Sequence, residues 1–167
     1  MQYHLAQANI AYMRAPQDDP LLAGFAARLD EINALAEQSP GFVWRYISDS
    51  RDPTVREYDD PKVLFNMSVW DSIEALHAYT YKTAHAQLFA QRAKWFTDAI
   101  ASMGSRSMAL WWIPAGTLPT AAEAKARIAH ITAHGPSVHA FTFKQSFAPE
   151  GQAILRGAPA APVASHG

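Results

Sequence analysis

Apolar and polar positions change period several times along this chain, and each change marks an element. Residues 3–12, YHLAQANIAY, precede a polar, Pro-containing stretch and predict a first strand. Leu22, Phe25, Leu29, Ile32 and Ala36 then recur at helical spacing. Asp19 supplies an N-cap for that helix, Pro20 suits its first position, and Ser39-Pro40-Gly41 ends it. FVWRYIS at 42–48 is rich in β-formers and predicts a second strand. A polar stretch at 49–61 reads as a loop or long hairpin connection, and KVLFNMSVW at 62–70 as a third strand.

Asp71 and Glu74 resemble a capping box, with Asp in place of Ser or Thr. They open a predicted helix from about 72 to about 100, with Thr83 as the point where it would break. SMALWWIPA at 107–115 is a fourth strand ending at a proline. Thr120 with Glu123, and Gly135 with Pro136, bound a further helix. AFTFKQSF at 140–147 alternates as a last strand. We expect one domain over 1–147 and a flexible Ala/Pro/Gly-rich tail over 148–167.

The order βαββαβ followed by αβ predicts an α+β fold, with a ferredoxin-like antiparallel sheet and an extra αβ unit. The strands add a constraint. In 62–70, Leu64, Asn66, Ser68 and Trp70 share one face, and Val63, Phe65, Met67 and Val69 the other. In 107–113, Met108, Leu110 and Trp112 oppose Ala109, Trp111 and Ile113. Neither side is consistently polar, so both faces are expected to be buried. A second copy stacked sheet on sheet is the favoured cover; the alternatives are the tail or the extra αβ unit.

The stretch TYKTAHAQLFAQRAKWF, residues 80–96, raises the main chemical question. On a helical wheel centred on His85, Phe96 falls near about +20°, Phe89 near about +40° and Arg92 near about −20°. Tyr81 falls near about −40°, Leu88 near about −60° and Trp95 near about −80°. His85 and Arg92 would thus lie mid-stripe among aromatics, where an unpaired guanidinium costs several kcal/mol. Either Arg92 snorkels and His85 is a satisfied core histidine, or Arg92 pairs an acid across the core, or the stripe faces a cavity for a polar or anionic ligand group. In the cavity reading Tyr81, His85 and Arg92 supply the polar handles, and Trp70, Phe89, Trp95 and Trp112 shape the walls. His85 would act as general acid/base or as an axial haem ligand.

Gln7 and Asn9 share one face of the first strand, and Asn66 and Ser68 one face of the third. A ferredoxin-like order makes these strands neighbours. Asn9 and Asn66 are therefore candidate substrate-binding amides, or members of an internal hydrogen-bonded network. His130 and His134 stand four apart with no third ligand evident, so no metal site is expected.

Composition narrows the function classes. The 167 residues carry a net charge of −1 with scattered Lys and Arg, which gives no case for nucleic acid or an anionic membrane. There is no cysteine, so disulfides, thiolate nucleophiles and Cys-based zinc sites are excluded. No apolar run reaches transmembrane length, the N-terminus does not read as a signal peptide, and a cytoplasmic protein is the expectation.

YHLAQANIAYMRAPQDDP, SPGFVWRY, NMSVWDSIEAL, YKTAHAQLFAQRAKWF, ALWWIPAGTLPTAAEA and HGPSVHAFTF together resemble the DUF3291 family, from about residue 3 to 147. That is a domain of unknown function placed with the dimeric α/β-barrel proteins. The resemblance implies a ferredoxin-like protomer and a homodimer, and it names no reaction. The wider superfamily includes cofactor-free quinone-forming monooxygenases, haem-using enzymes and small isomerases, whose ligands commonly sit between sheet and helices. The expected function is a small enzyme acting on a hydrophobic or aromatic oxygenated metabolite, by monooxygenase-like oxidation or by proton transfer (cyclisation or isomerisation), without a cofactor. The alternatives are a haem protein with His85 as ligand, and a non-catalytic ligand-binding or structural dimer.

Overall fold

A computed structural model describes residues 1–47 and 58–154. The element order is β1 (Tyr3–Met13), α1 (Ala23–Gln38), β2 (Phe42–Arg45), β3 (Val63–Trp70), α2 (Ile73–Lys82), α3 (Ala84–Ala90), β4 (Phe96–Thr97), α4 (Ala99–Ser102), β5 (Met108–Pro114), α5 (Ala121–His134), β6 (Ser146–Phe147) and β7 (Ala153–Ile154). The main sheet runs β2-β3-β1-β5, antiparallel throughout, and β4 pairs the end of β1 at Tyr12 and Met13. With α1 between β1 and β2, and α2–α3 between β3 and β5, this is the ferredoxin-like order.

The caps form largely where the residue types demand them. The Asp19 side chain accepts from the Leu21 amide at 2.9 Å, and Pro20 opens a short 3₁₀ turn that runs into α1. Thr120 Oγ1 accepts from Glu123 N at 3.1 Å, and Gly135, with φ +76°, closes α5. At α2 the cap is Ser72, not Asp71: Ser72 is extended, accepts from Ala75 N at 3.2 Å, and donates its hydroxyl to Asp71 Oδ1 at 2.8 Å. Gly41 opens β2 with φ +82°, where a Cβ would collide with the Asp71 carboxylate and Ala75.

Register sets two chemically distinct faces. Leu5, Gln7 and Asn9 of β1 stand opposite Trp70, Ser68 and Asn66 of β3, and opposite Trp112, Leu110 and Met108 of β5. This amide face packs under α1, α2 and α3. The other, alanine face carries Ala6, Ala8, Ile10, Met67, Val69, Ala109, Trp111 and Ile113, and it packs against Ala124, Ile128 and Ile131 of α5. The extra αβ unit thus covers, within one chain, much of the face for which a second copy was expected. Trp44, Tyr58, Val63 and Phe65 at the far end of that face stay half-buried.

Two expectations fail. The helix expected over about 72–100 does break at Thr83, but it also stops at Ala90 and gives way to a 3₁₀ turn at Arg92–Lys94, the β4 pairing and short α4. The strand expected at 140–147 shrinks to one bridge between Leu110 and Phe141, followed by turns and the small β6–β7 hairpin. Phe141 and Phe143 are buried against the amide face without extending the ladder, so their alternation reflects burial as the chain turns round the edge of β5. The loop expected over 49–57 and the tail beyond 154 lie outside the described residues.

Candidate functional site

The site forms where α2 stops. Thr83 has φ −119° and ψ −177°, an extended conformation that ends α2 and caps α3. Its hydroxyl donates to the Tyr79 carbonyl and accepts from the His85 amide at 3.2 Å. The break takes the Thr80 carbonyl out of the helical ladder, and His85 Nδ1 lies 3.1 Å from that oxygen. A carbonyl only accepts, so Nδ1 carries the proton and Nε2 holds the free lone pair. Burial pushes the His85 pKa below the ordinary imidazole value and outweighs the Thr80 bond, which acts the other way. The ring is therefore neutral at neutral pH, with Nε2 a base.

Around His85 the side chains form a continuous series from core to surface. Trp70, fully buried, stacks on Tyr79 at 5.0 Å between ring centroids and 26° between planes. Tyr79 lies 5.0 Å from His85, and His85 stacks on Phe89 at 6.5 Å. The Arg92 guanidinium sits 4.2 Å over the Phe89 ring. Inward, Trp70 Nε1 donates to Ser68 Oγ at 2.9 Å. Gln7 Nε2 donates to Ser68 Oγ at 3.1 Å and to Asn66 Oδ1 at 2.8 Å. Of the polar side chains expected to converge, Gln7, Ser68 and Asn66 are hydrogen-bonded together, running from buried Gln7 and Ser68 to exposed Asn66. The Tyr79 hydroxyl donates to the Ile32 carbonyl of α1 at 3.3 Å, and burial pushes its pKa up to about 12.

Other sequence-derived residues disperse. Arg92 is exposed in the 3₁₀ turn, where one of its Nη atoms donates to the Phe89 carbonyl at 3.0 Å. It leaves the stripe because the helix ends at Ala90. Trp95 then buries against Phe25 at 5.7 Å, and Phe96–Thr97 pair with β1, so tertiary pairing overrides helical period. Trp95 belongs to the core under α1, not to a pocket with His85. Tyr81 is 49% exposed and turns the other way, packing on His77 at 4.7 Å and Phe143 at 5.9 Å. Trp112 donates its indole N–H to the Phe147 carbonyl at 2.7 Å, on the β5 side. Asn9 is half-buried beside Asn66. Tyr79, Thr80 and Thr83 were missed as site residues; the legible signal was Thr83 standing two residues before His85 as an N-cap.

Two open depressions flank α2. One, of about 450 Å³, runs from Ser39, Pro40 and Gly41 past Asp71 to Lys82, Tyr79 and Thr83. The other, of about 300 Å³, is bordered by Ile73, Glu74, His77, Lys82, Ser146 and Ile154. The first ends at two neighbours of His85 but does not include it. A haem on His85 would need a flat slot over Nε2. The ring instead packs between Tyr79 and Phe89, and neither depression borders it, so these residues do not fit a porphyrin. Elsewhere, His139 does join the His130–His134 pair, with ring centroids 5.6 and 4.7 Å from His130. Among the described residues, however, no three His, Asp or Glu side chains are placed to hold a metal ion. Nor, among them, is any helix long and apolar enough to cross a membrane.

No curated protein sequence matches this chain. Among the solved structures that resemble its backbone are two of similar standing. One is SnoaB, a cofactor-independent oxygenase from Streptomyces nogalater, at 17% identity, TM-score 0.44, covering 70% of this chain and 98% of that one. The other is a Chloroflexus aurantiacus J-10-fl protein named for the antibiotic biosynthesis monooxygenases, at 17% identity, TM-score 0.42, covering 70% and 97%. At these values the likeness concerns shape and carries no chemistry. The sequence resemblance is decided by the family model, a domain of unknown function, DUF3291, which matches residues 4–156: the chain belongs to that family.

Proposed function

We propose that this chain is a small enzyme that removes a proton from a hydrophobic, aromatic oxygenated metabolite, with His85 as the base. One observation carries the reading: the Thr80 carbonyl holds the Nδ1–H, so a neutral imidazole presents an unpaired Nε2 among aromatic rings. The substrate ring lies against the Tyr79–Phe89 side. Its polar remainder lies in the depression that ends at Tyr79, Thr83 and Lys82. Arg92, one ring outward, orients an anionic oxygen at the rim. Tyr81 has no part in this reading, because it packs with His77 and Phe143. Deprotonation is the shared first step of monooxygenase-like oxidation, in which the carbanion reduces dioxygen, and of cyclisation or isomerisation, in which it does not. The working form is taken to be a homodimer; a monomer by light scattering at micromolar concentration would remove that part.

Anthrone is the test substrate. Without air, the enzyme is expected to exchange the anthrone methylene protons for solvent deuterium faster than buffer does. Under air, a monooxygenase outcome consumes one dioxygen per anthrone and yields anthraquinone, which keeps one atom of that dioxygen, and water. His85→Asn is expected to slow exchange by about 100-fold or more. Exchange by His85→Asn at the wild-type rate would sink the assignment of the base. Quenching of tryptophan fluorescence by anthrone with no exchange would make the protein a binding module.

A further inference from the structure

We propose that Thr83 is a positioning residue that fixes the tautomer of His85; this rests on the reading of His85 as the base. The inference starts from the backbone. In an uninterrupted helix the Thr80 carbonyl would accept from the amide of residue 84, four positions on. It would then be satisfied within the ladder, and the imidazole of residue 85 would meet no free acceptor on that turn. The chain departs from this at one residue. Thr83 is extended, α2 ends at Lys82, and α3 restarts at Ala84.

The Thr83 hydroxyl holds both sides of the break. It donates to the Tyr79 carbonyl, the last turn of α2, and accepts from the His85 amide, the first turn of α3. One oxygen thus satisfies an acceptor that the break exposes and a donor that it orphans. The freed Thr80 carbonyl takes His85 Nδ1–H at 3.1 Å. Residues 79, 80, 83 and 85 therefore form one unit, in which the tautomer follows from the break and the break from the hydroxyl. The neighbouring residues would not by themselves end a helix: Tyr81, Lys82, Ala84 and Ala86 carry no cap, and no Gly or Pro lies between Ser72 and Ala90.

Thr83→Val keeps shape and removes the hydroxyl, whereas Thr83→Ser keeps the hydroxyl. Imidazole nitrogen-15 shifts read the tautomer directly. In the wild type, His85 is expected as the Nδ1–H form. In Thr83→Val the Nε2–H form, which a solvated histidine side chain prefers, is expected to become the main species, with anthrone exchange down about tenfold. Thr83→Ser is expected to restore both. A wild-type ring in the Nε2–H form would overturn the proposal whatever the variants do. So would a folded Thr83→Val protein that keeps the Nδ1–H signature, or a folded Thr83→Ser protein that loses it. The two proposals fail separately: absent exchange with the expected tautomer pattern removes the proposed reaction alone, and intact exchange with a wild-type Nδ1–H ring but the wrong variant pattern removes Thr83 alone.

Discussion

The two faces of one sheet do different work here. On the alanine face, Ala6, Ala8 and Ala109 are small and fully buried, and they let α5 approach closely with Ala124, Ile128 and Ile131 around Trp111. Among the described residues, two polar atoms lie deep on it: Trp111 Nε1 donates to Glu123 Oε1 at 3.1 Å, and His4 Nδ1, opposite Ile113, is buried without a partner. On the amide face, Gln7 and Ser68 are buried polar groups, and Trp70 is tied to them by its indole N–H. Packing on the first face is mostly apolar. The second keeps a network that leads, through Trp70 and Tyr79, to His85, whose tautomer the Thr80 carbonyl fixes. Burial of polar groups costs free energy unless each is paired. The amide face pairs its buried amide and hydroxyl, whereas the alanine face leaves His4 Nδ1 unpaired.

The largest effect should come from the alanine face. Trp111→Ala removes a fully buried ring and orphans one bond of Glu123, so we expect a loss of about 3–5 kcal/mol. The melting temperature should drop by roughly 6–20 °C. A loss under about 1 kcal/mol in a denaturant titration would break the claim that α5 holds this face.

Gln7→Leu is the matching change on the other side. It removes the bonds from Gln7 to Asn66, which is exposed and turns to water, and to Ser68, which keeps Trp70, and should cost about 0.5–1.5 kcal/mol. A more stable Gln7→Leu protein would instead sharpen the contrast, showing that the amides are retained against stability.

The pH dependence follows from the direction of the His85 shift. An unfolded imidazole titrates near about 6.5 and the folded one lower, so between those values the unfolded chain binds more protons. Stability therefore rises with pH across that window. The contribution is complete above about 6.5 and is lost as pH falls through the folded pKa. His130 shifts in the same direction, through burial and its neighbours His134, His139 and Arg127. The informative quantity is thus the difference between wild type and His85→Phe: the variant's melting temperature should fall less steeply below pH 6.5. Equal slopes would separate His85 from the network.

The smallest effect is Arg92→Met. An exposed guanidinium over one ring contributes about 0.5–1 kcal/mol at most, and thermal melts should barely distinguish the variant. A large loss would return Arg92 to the core, where its sequence period alone had placed it.

Much of the scaffold was legible in the sequence because its signals are local. Asp19-Pro20, Thr120 with Glu123, and Gly135 each marked a boundary that formed. The pairing of Gln7 with Ser68 and Asn66 followed once strand order and alternation were fixed. His85 was legible as a half-buried oddity, and its actual partner set was not. Helical period was projected through Gln91, and nothing in QRAKWF signals the stop. The chain leaves the helix because Phe96 and Thr97 find β1, a long-range pairing that no local pattern encodes. The alternation of AFTFKQSF misled for a related reason: period 2 reports alternate burial, and a segment wrapped round a sheet edge buries alternate side chains without a ladder.

That wrap also orders events in time. Leu110 and Phe141 exchange two backbone bonds, at 2.9 and 2.8 Å, across the outer edge of β5. All four long-range partners of the main sheet exist once Pro114 has been made, but Phe141 and Phe143 follow nearly thirty residues later. At ordinary synthesis rates the β5 edge and Leu110 are made about 1–6 s before the residues that cover them. An unpaired edge beside exposed apolar surface is a template for joining another chain. The late phenylalanines are therefore a closing step for the newborn molecule, and a chaperone acting on this protein would have its work concentrated in that interval.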